Sequence, residues 1–352
     1  MTDFGWCGVL VRLLLLVTGV SAGPAMAAPA CTATAQVATT SGPYSPAAVS
    51  AGKVPAIASS AGLTCGSTLL VVLGSNSVKA TFSTLNALKL KGSAGEIAYT
   101  ASADPGGTVP LTQNKTTEYM QNNVLNALGL LGSNNGTLPV YVKLASGNRP
   151  APGRYADTIT ISWDWRICTG ISALVCVGGY DTSPAPPAAP VKSEITITLD
   201  VTPQDMTIAL TSATTWDATN GTLRPLAVPG SKGRTTLSVR NPDLVALDDG
   251  SVALIYKVPA RTSIVLDGDG TLSPTVIGFA DGSPSAGVTL SYVPGSASDD
   301  VDFSADNGLS WTYAPVAGNR ASEAQITQLR FRPKGAMKAG GAFSLSFPYL
   351  LR

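Results

Sequence analysis

The chain has 352 residues, 44% apolar and only 13% charged, with 36 glycines and 25 prolines; 23 cationic against 22 acidic side chains leave a net charge of +1. It contains no histidine, which excludes Ser-His-Asp and Cys-His nucleophile activation, imidazole ligation of metals and the HExxH protease pattern. The balanced charge, without a basic cluster, offers nucleic acid little to neutralise its phosphates.

An ordinary soluble domain is about 25% charged. This low-charge composition, with short alternating runs between Gly/Pro/Asp turns, predicts an all-β chain: two immunoglobulin-like β-sandwich domains in tandem, with a minor helix in the first. At the N-terminus Arg12 precedes the short apolar run Leu13–Val20, and Ala25-Met26-Ala27 matches the A-x-A cleavage pattern. Residues 1–27 therefore read as a secretory signal peptide cut after Ala27. The run is far shorter than the roughly 20 residues that span a bilayer, so no membrane span is expected in the mature chain. Cys7 leaves with the signal. Cys31, Cys65, Cys168 and Cys176 remain, an even number in an oxidising compartment, which predicts two disulfides out of three connectivities. The favoured pairs are Cys31–Cys65, stapling the opening strand to a neighbour, and Cys168–Cys176, closing a short loop. Four thiolates on zinc are the rival, but these spacings are not those of zinc knuckles.

In chain order, Cys31–Val37 is a short strand, Ser41–Pro46 (SGPYSP) a turn cluster, and Gly62–Cys65 leads into the apolar run Thr68–Leu73. Val78–Leu90 reads as a strand pair and Gly95–Ser102 as a strand stopped by Asp104-Pro105-Gly106-Gly107. Glu118–Leu131 is the one helical segment, with Met120, Val124, Leu125, Leu128 and Leu131 at helical spacing. Leu138–Leu144 is the next strand. Arg154–Trp165 is the clearest of all: Ile159, Ile161, Trp163 and Trp165 share one face, and Thr158, Thr160, Ser162 and Asp164 the other. A loop-rich insertion, Ile167–Pro190, carries two cysteines and the proline-rich Ser183–Pro190, which predicts an extended surface path. Glu194–Val201 alternates again, and Thr202-Pro203-Gln204-Asp205 is the best boundary, giving domains 28–203 and 204–352. Beyond it Met206–Leu210, Thr235–Val239, Ser251–Val258, Ser263–Leu266, Gly287–Tyr292, Ser310–Tyr313, Gln328–Arg332 and Ala342–Phe347 read as strands.

Few motifs carry chemistry. Ser304–Trp311 (SADNGLSW) fits the Asp-box pattern S-x-D-x-G-x-x-W, a hairpin in which Asp306 bonds the turn backbone, Gly308 takes a positive φ and Trp311 packs beneath. Asp267-Gly268-Asp269-Gly270 and Asp299-Asp300-Val301-Asp302 offer oxygens to calcium but lack the EF-hand spacing, so solvated turns are expected, with no metal and no cofactor. No two carboxylates stand out as a glycosidase pair, and Ser231-Lys232-Gly233 lacks the P-loop pattern. No catalytic residues are assigned, and a non-enzyme is expected. Trp163 and Trp165 would make a sugar platform if exposed, but same-face tryptophans on such a strand are expected in the core. Apolar loop tips are the surface-contact candidates: Leu128, Leu130 and Leu131, and Ile171, Leu174 and Val175.

Cys31, the Gly42–Pro46 turn, Thr64-Cys65 and the run Pro152-Gly153-Arg154-Tyr155-Ala156-Asp157-Thr158-Ile159-Thr160-Ile161 together resemble the spore coat protein U domain, also the subunit fold of archaic chaperone–usher pili, over roughly residues 31–201. The insertion at 166–192 departs from it, as does the lack of a phenylalanine before Gly42. Residues 206–352 resemble a bacterial surface "conserved repeat" domain, on Pro229-Gly230, Arg240-Asn241-Pro242, Val258-Pro259-Ala260 and Ile326–Gly335. The first resemblance implies export to the periplasm, cell surface or a pilus, and partners among periplasmic chaperone, usher and pilin subunits. It also implies a sandwich completed by a strand from a neighbour. Cleavage after Ala27 leaves only Ala28, Pro29 and Ala30 before Cys31, too short for a donor strand, so the expectation is a pilus-associated or tip-like adhesin, not a shaft subunit. Glu194–Val201 is the expected internal completing strand. The alternative is a free-standing module binding a glycan or cell-wall surface.

Overall fold

The computed structural model describes residues 31–33, 37–65, 76–118, 135–168, 171–172, 176–177, 179–183, 190–273 and 275–352. The predicted signal peptide, the apolar run Thr68–Leu73, the predicted helix beyond Glu118 and most of Ser183–Pro190 lie outside them. The chain is all-β; the two helices among the described residues, Pro46–Ser50 and Arg320–Glu323, are a single turn each.

The first half is built on the strand Gly153–Cys168. Its alternation of β-branched and aromatic residues puts Tyr155, Asp157, Ile159, Ile161, Trp163, Trp165 and Ile167 inward, all buried. One flank pairs antiparallel with Ser77–Thr84, from Ile159↔Thr84 to Arg166↔Ser77. The other pairs antiparallel with Val191–Val201, from Gly153↔Val201 to Trp163↔Val191. Val191–Val201 in turn runs parallel to Val37–Tyr44. A facing layer runs Cys31–Ala33, Ile57–Cys65, Asn135–Leu144, Gly95–Ser102 and Pro110–Leu111, and Lys89–Gly92 joins the layers by pairing with both Gly95–Ser102 and Ala156. One continuous core fills the space between, drawing Ile195, Ile197 and Leu199 from the late strand, each fully buried. Tyr99 ties the layers together: its hydroxyl donates to Asp157 Oδ2 at 2.8 Å. Burial, reinforced by that carboxylate's hydrogen bond and charge, drives the Tyr99 pKa well above the usual phenol value.

Two expectations are corrected here. The turn predicted at Ser41–Pro46 is the end of a strand followed directly by the helix Pro46–Ser50, capped by Ser45 Oγ, which accepts from Ala48 N at 2.8 Å. Gly42 belongs there because of packing: with φ +121, a Cβ at this position would lie 2.5 Å from the Asp200 carbonyl oxygen of the neighbouring strand, a distance no side chain tolerates. The single strand predicted over Cys31–Val37 is two, Cys31–Ala33 and Val37–Tyr44, which join opposite layers.

The second half has its own core, centred on Phe331, Phe347, Leu345 and Leu329. Among the described residues no strand up to Val201 pairs with one from Thr207 onward. One sheet runs Thr207–Trp216, Lys232–Arg240, Ala342–Leu351, with Thr262–Ile264 and Gly278–Asp281 on the far side of the last. The other runs Leu254–Lys257, Gln328–Phe331, Val301–Ser304. Aromatic rings hold the two together, Tyr256 and Phe331 both meeting Phe347 at centroid distances of 4.7 and 5.5 Å. Gly287–Tyr292 and Ser310–Tyr313, expected as strands, make only isolated bridges at Thr289 and Tyr313. Gly278–Asp281 and Val301–Ser304 are strands that the Gly- and Asp-rich local sequence hides. The joint between the halves is short. Ser45 Oγ donates to Asp243 Oδ1 at 2.9 Å, and Val245 packs against the first core.

Candidate functional site

Thr207–Trp216 (TIALTSATTW) is a ten-residue strand with neither a charged residue nor a proline. It pairs antiparallel with Lys232–Arg240, from Thr207↔Arg240 to Trp216↔Lys232, and its other edge is free among the described strands. Thr207 to Ala213 are exposed, with Ile208 and Leu210 at 54% and 53%. The adjacent strand buries Leu237 and Val239, so the core of the second half ends one strand short of its sheet. A cavity of about 430 Å³ opens at the Thr207 end of this sheet, lined by Ile208, Val239 and Phe343 among others. Soluble proteins usually blunt such an edge with charge, proline or a bulge. Here the one device is a register shift near Trp216. An uncharged free edge with bare apolar side chains can do one thing chemically, which is to take up another strand through main-chain hydrogen bonds and apolar side-chain contacts.

The residues singled out in the sequence fall elsewhere. Leu128, Leu130, Leu131, Leu174 and Val175 lie outside the described residues, and of Ile171 the backbone alone is described, in the short pair Ile171–Ser172 with Cys176–Val177. Cys168 and Cys176 form a disulfide with Cα atoms 5.7 Å apart. Cys31 is disulfide-bonded and faces Cys65 across the ladder. Trp163 and Trp165 are core residues, each 3% exposed. Their indole N–H groups donate to Ser193 Oγ at 2.9 Å and Asp181 Oδ2 at 2.8 Å, so neither offers a face to a sugar. Asp181 also accepts from Cys31 N at 3.2 Å, tying the insertion's strand Tyr180–Thr182 to the opening strand.

The aspartate runs are engaged by cations. Asp267 meets Lys232 and Arg320, Asp269 meets Arg234, Asp300 meets Lys334, and Asp302 meets Arg330 and Arg332. Burial raises the pKa of Asp302, but Arg332 and Arg330 outweigh it and hold the carboxyl below its ordinary value. Such sites resist a second cation such as calcium. The turn of the Asp-box forms as expected, while Trp311 stays half-buried. Asp306 accepts from Ser310 N at 2.9 Å and from the Ser310 and Ser304 hydroxyls, and Gly308 has φ +87. Arg330 lies over the Trp311 ring at 4.7 Å.

Similarity to known proteins is strongest in the first half. Residues 17–162 match the family model of the Spore Coat Protein U domain. The matched region ends in the middle of Gly153–Cys168, before the strand Val191–Val201 that pairs with it. None of the curated proteins matches the chain. Among solved structures, similarity is found to a chain of the CsuC–CsuE chaperone–tip adhesion subunit complex from the archaic chaperone–usher Csu pili of Acinetobacter baumannii. Identity is 13%, covering 90% of this chain and 93% of that one at a TM-score of 0.38. The CFA/I adhesin CfaE of enterotoxigenic E. coli is similar at 11% identity, over 89% of this chain and 86% of that one, with a TM-score of 0.22. At such scores neither superposition fixes a shared fold.

Proposed function

We propose that this chain is an exported, non-enzymatic, pilus-associated adhesin of the tip type, made of a coat-protein-U-like sandwich over residues 28–203 and a second β-sandwich surface domain over 204–352. The observation that carries the reading is an asymmetry between the halves. The first core is closed by its own late strand, Val191–Val201, held on both edges. The second half ends in an uncharged free edge, Thr207–Trp216, with apolar side chains in solvent. A tip subunit needs such a pair of properties: one self-sufficient unit to meet a surface and one unit that accepts a strand from the assembly beneath it. The match to the Spore Coat Protein U domain supports the same assignment for the first half.

The test is co-expression in the periplasm with the chaperone and pilin of a chaperone–usher system from the same genome. A complex that survives purification is expected. Ile208→Lys with Leu210→Lys should abolish it while leaving the free chain folded, since both side chains already stand in solvent. A chain that ignores both partners, or a complex indifferent to the two lysines, refutes the reading.

A further inference from the structure

A second feature of the second half does not depend on pilus assembly. The strand Val301–Ser304, the segment Trp311–Pro315 that bridges to it at Phe303↔Tyr313 and the loop Gly295–Ala297 enclose a cavity of about 170 Å³. Tyr292, Phe303, Trp311 and Tyr313 line it, and so does Asp302. The volume is below the roughly 300 Å³ at which drug-sized pockets begin, so it has room for one ring.

The walls are aromatic but not merely apolar. The Tyr292 hydroxyl and the Trp311 indole N–H have no hydrogen-bond partner among the described residues, although both rings are partly buried. Tyr292 remains a neutral phenol, its pKa pushed up to about 12 by burial and by the charges of Asp299 and Glu323. Tyr313 is anchored, its hydroxyl meeting Ser322 O and Oγ, both at 2.9 Å. Trp311 is held by Arg330 over its ring, and Arg330 Nε donates to Asp302 Oδ2 at 2.7 Å. The Asp-box fixes the backbone that leads into Trp311. Rigid aromatic faces with a few unspent polar groups at their rim are the recognition surface for a ligand with an apolar ring face and a hydroxylated edge.

We propose that this pocket binds a single pyranose unit of a glycan, stacked on Trp311 and Tyr292 and hydrogen-bonded by the Tyr292 hydroxyl and the Trp311 N–H. Asp302 at the cavity is already paired with Arg330 and Arg332, so it sets no charge preference, and stacking with the two polar groups is what neutral pyranosides test.

Saturation-transfer NMR on the full mature chain tests this, with the methyl pyranosides of glucose, galactose and mannose as probes and cyclohexanol as an apolar-ring control. Transfer to the ring C–H protons of at least one pyranoside is expected. Trp311→Ala should abolish it. Tyr292→Phe should weaken binding about three- to tenfold, the scale of one neutral hydrogen bond, at unchanged thermal stability, because that hydroxyl supports nothing in the fold. The unchanged melting temperature keeps the test valid if Trp311→Ala disturbs the hairpin. Absence of transfer from all three pyranosides, cyclohexanol binding as well as they do, or affinity unaltered in Tyr292→Phe overturns the proposal.

Discussion

Ile197→Ala is the sharpest test of the closed first core. Ile197 lies at the centre of Val191–Val201, paired with Asp157 on one side and Thr39 on the other, and is fully buried with Ile195 and Leu199. Truncating a fully buried isoleucine to alanine costs about 2–5 kcal/mol, the upper part of the range applying where neighbours cannot collapse into the void. Ladders on both edges of this strand restrain such collapse, so a loss of about 3–4 kcal/mol is expected. With a urea dependence of about 2 kcal/mol/M, the unfolding midpoint should fall by roughly 1.5–2 M. The assay is urea unfolding followed by tryptophan fluorescence, since Trp163 and Trp165 are buried in the same core. Thr196→Ala, one residue away on the half-buried outer face, is the control and should change stability by about 0.5 kcal/mol or less. Equal shifts for the two variants, or a midpoint shift below about 0.5 M for Ile197→Ala, would mean that Val191–Val201 is not a core strand. The first half would then be open to an external strand.

Other perturbations separate local from global contributions. Tyr99→Phe leaves the buried Asp157 without its inter-layer donor and should cost about 1–3 kcal/mol by chemical denaturation; a neutral result would show that the two layers do not depend on this bond. Replacing Cys168 and Cys176 with serine opens a loop of sequence separation 8 and should cost about 2–3 kcal/mol in the loop-entropy account. Thermal melting of oxidised and double-serine protein checks this, and identical melting temperatures refute it. Asp217 accepts from the backbone N–H groups of Asn220, Leu226 and Thr219, which lower its pKa from 3.8 to about 2. Asp306 is lowered likewise to about 2, first by the Ser310 hydroxyl. A carboxylate depressed in the folded state stabilises fully above its unfolded pKa and loses that contribution as pH falls through the folded value. The second half should therefore weaken between about pH 4 and pH 2, and Asp217→Asn should flatten that slope. Parallel melting curves for wild type and variant across the window would exclude Asp217 as a source.

The strongest signals in the sequence are those that two-residue periodicity writes directly. Ile159 to Trp165 and Ile195 to Val201 alternate so cleanly that the alternation alone names their inward faces, whereas the burial of Asp157 on the same face as Ile159 is not written in it. The Asp-box is equally legible, because its bonds join residues at most four apart. The Cys168–Cys176 pairing is the favoured one of three connectivities in the sequence, and the structure forms it. Where Gly, Asp and Ser dominate, periodicity carries no strand signal, so Gly278–Asp281 and Val301–Ser304 read as loops and Gly287–Tyr292 reads as a strand. The core-closing position of Val191–Val201 depends on pairing across a long insertion with Gly153–Cys168 and back, in parallel, to Val37–Tyr44; local sequence nominates the strand but does not fix its partners. The exposure of Thr207–Trp216 is likewise a tertiary fact. Its residues look like those of any half-buried strand, and only the ending of the core at Leu237 and Val239 leaves Ile208 and Leu210 in solvent. The aromatic cavity needs the fold: Trp311 and Tyr313 sit two apart in one segment, but Tyr292 and Phe303 reach them from two other segments. Composition and alternation thus determined that this chain folds as β-structure and which faces turn inward. Which edges are closed and which side chains converge was decided by long-range pairing, because that is set by contacts between residues far apart in the chain.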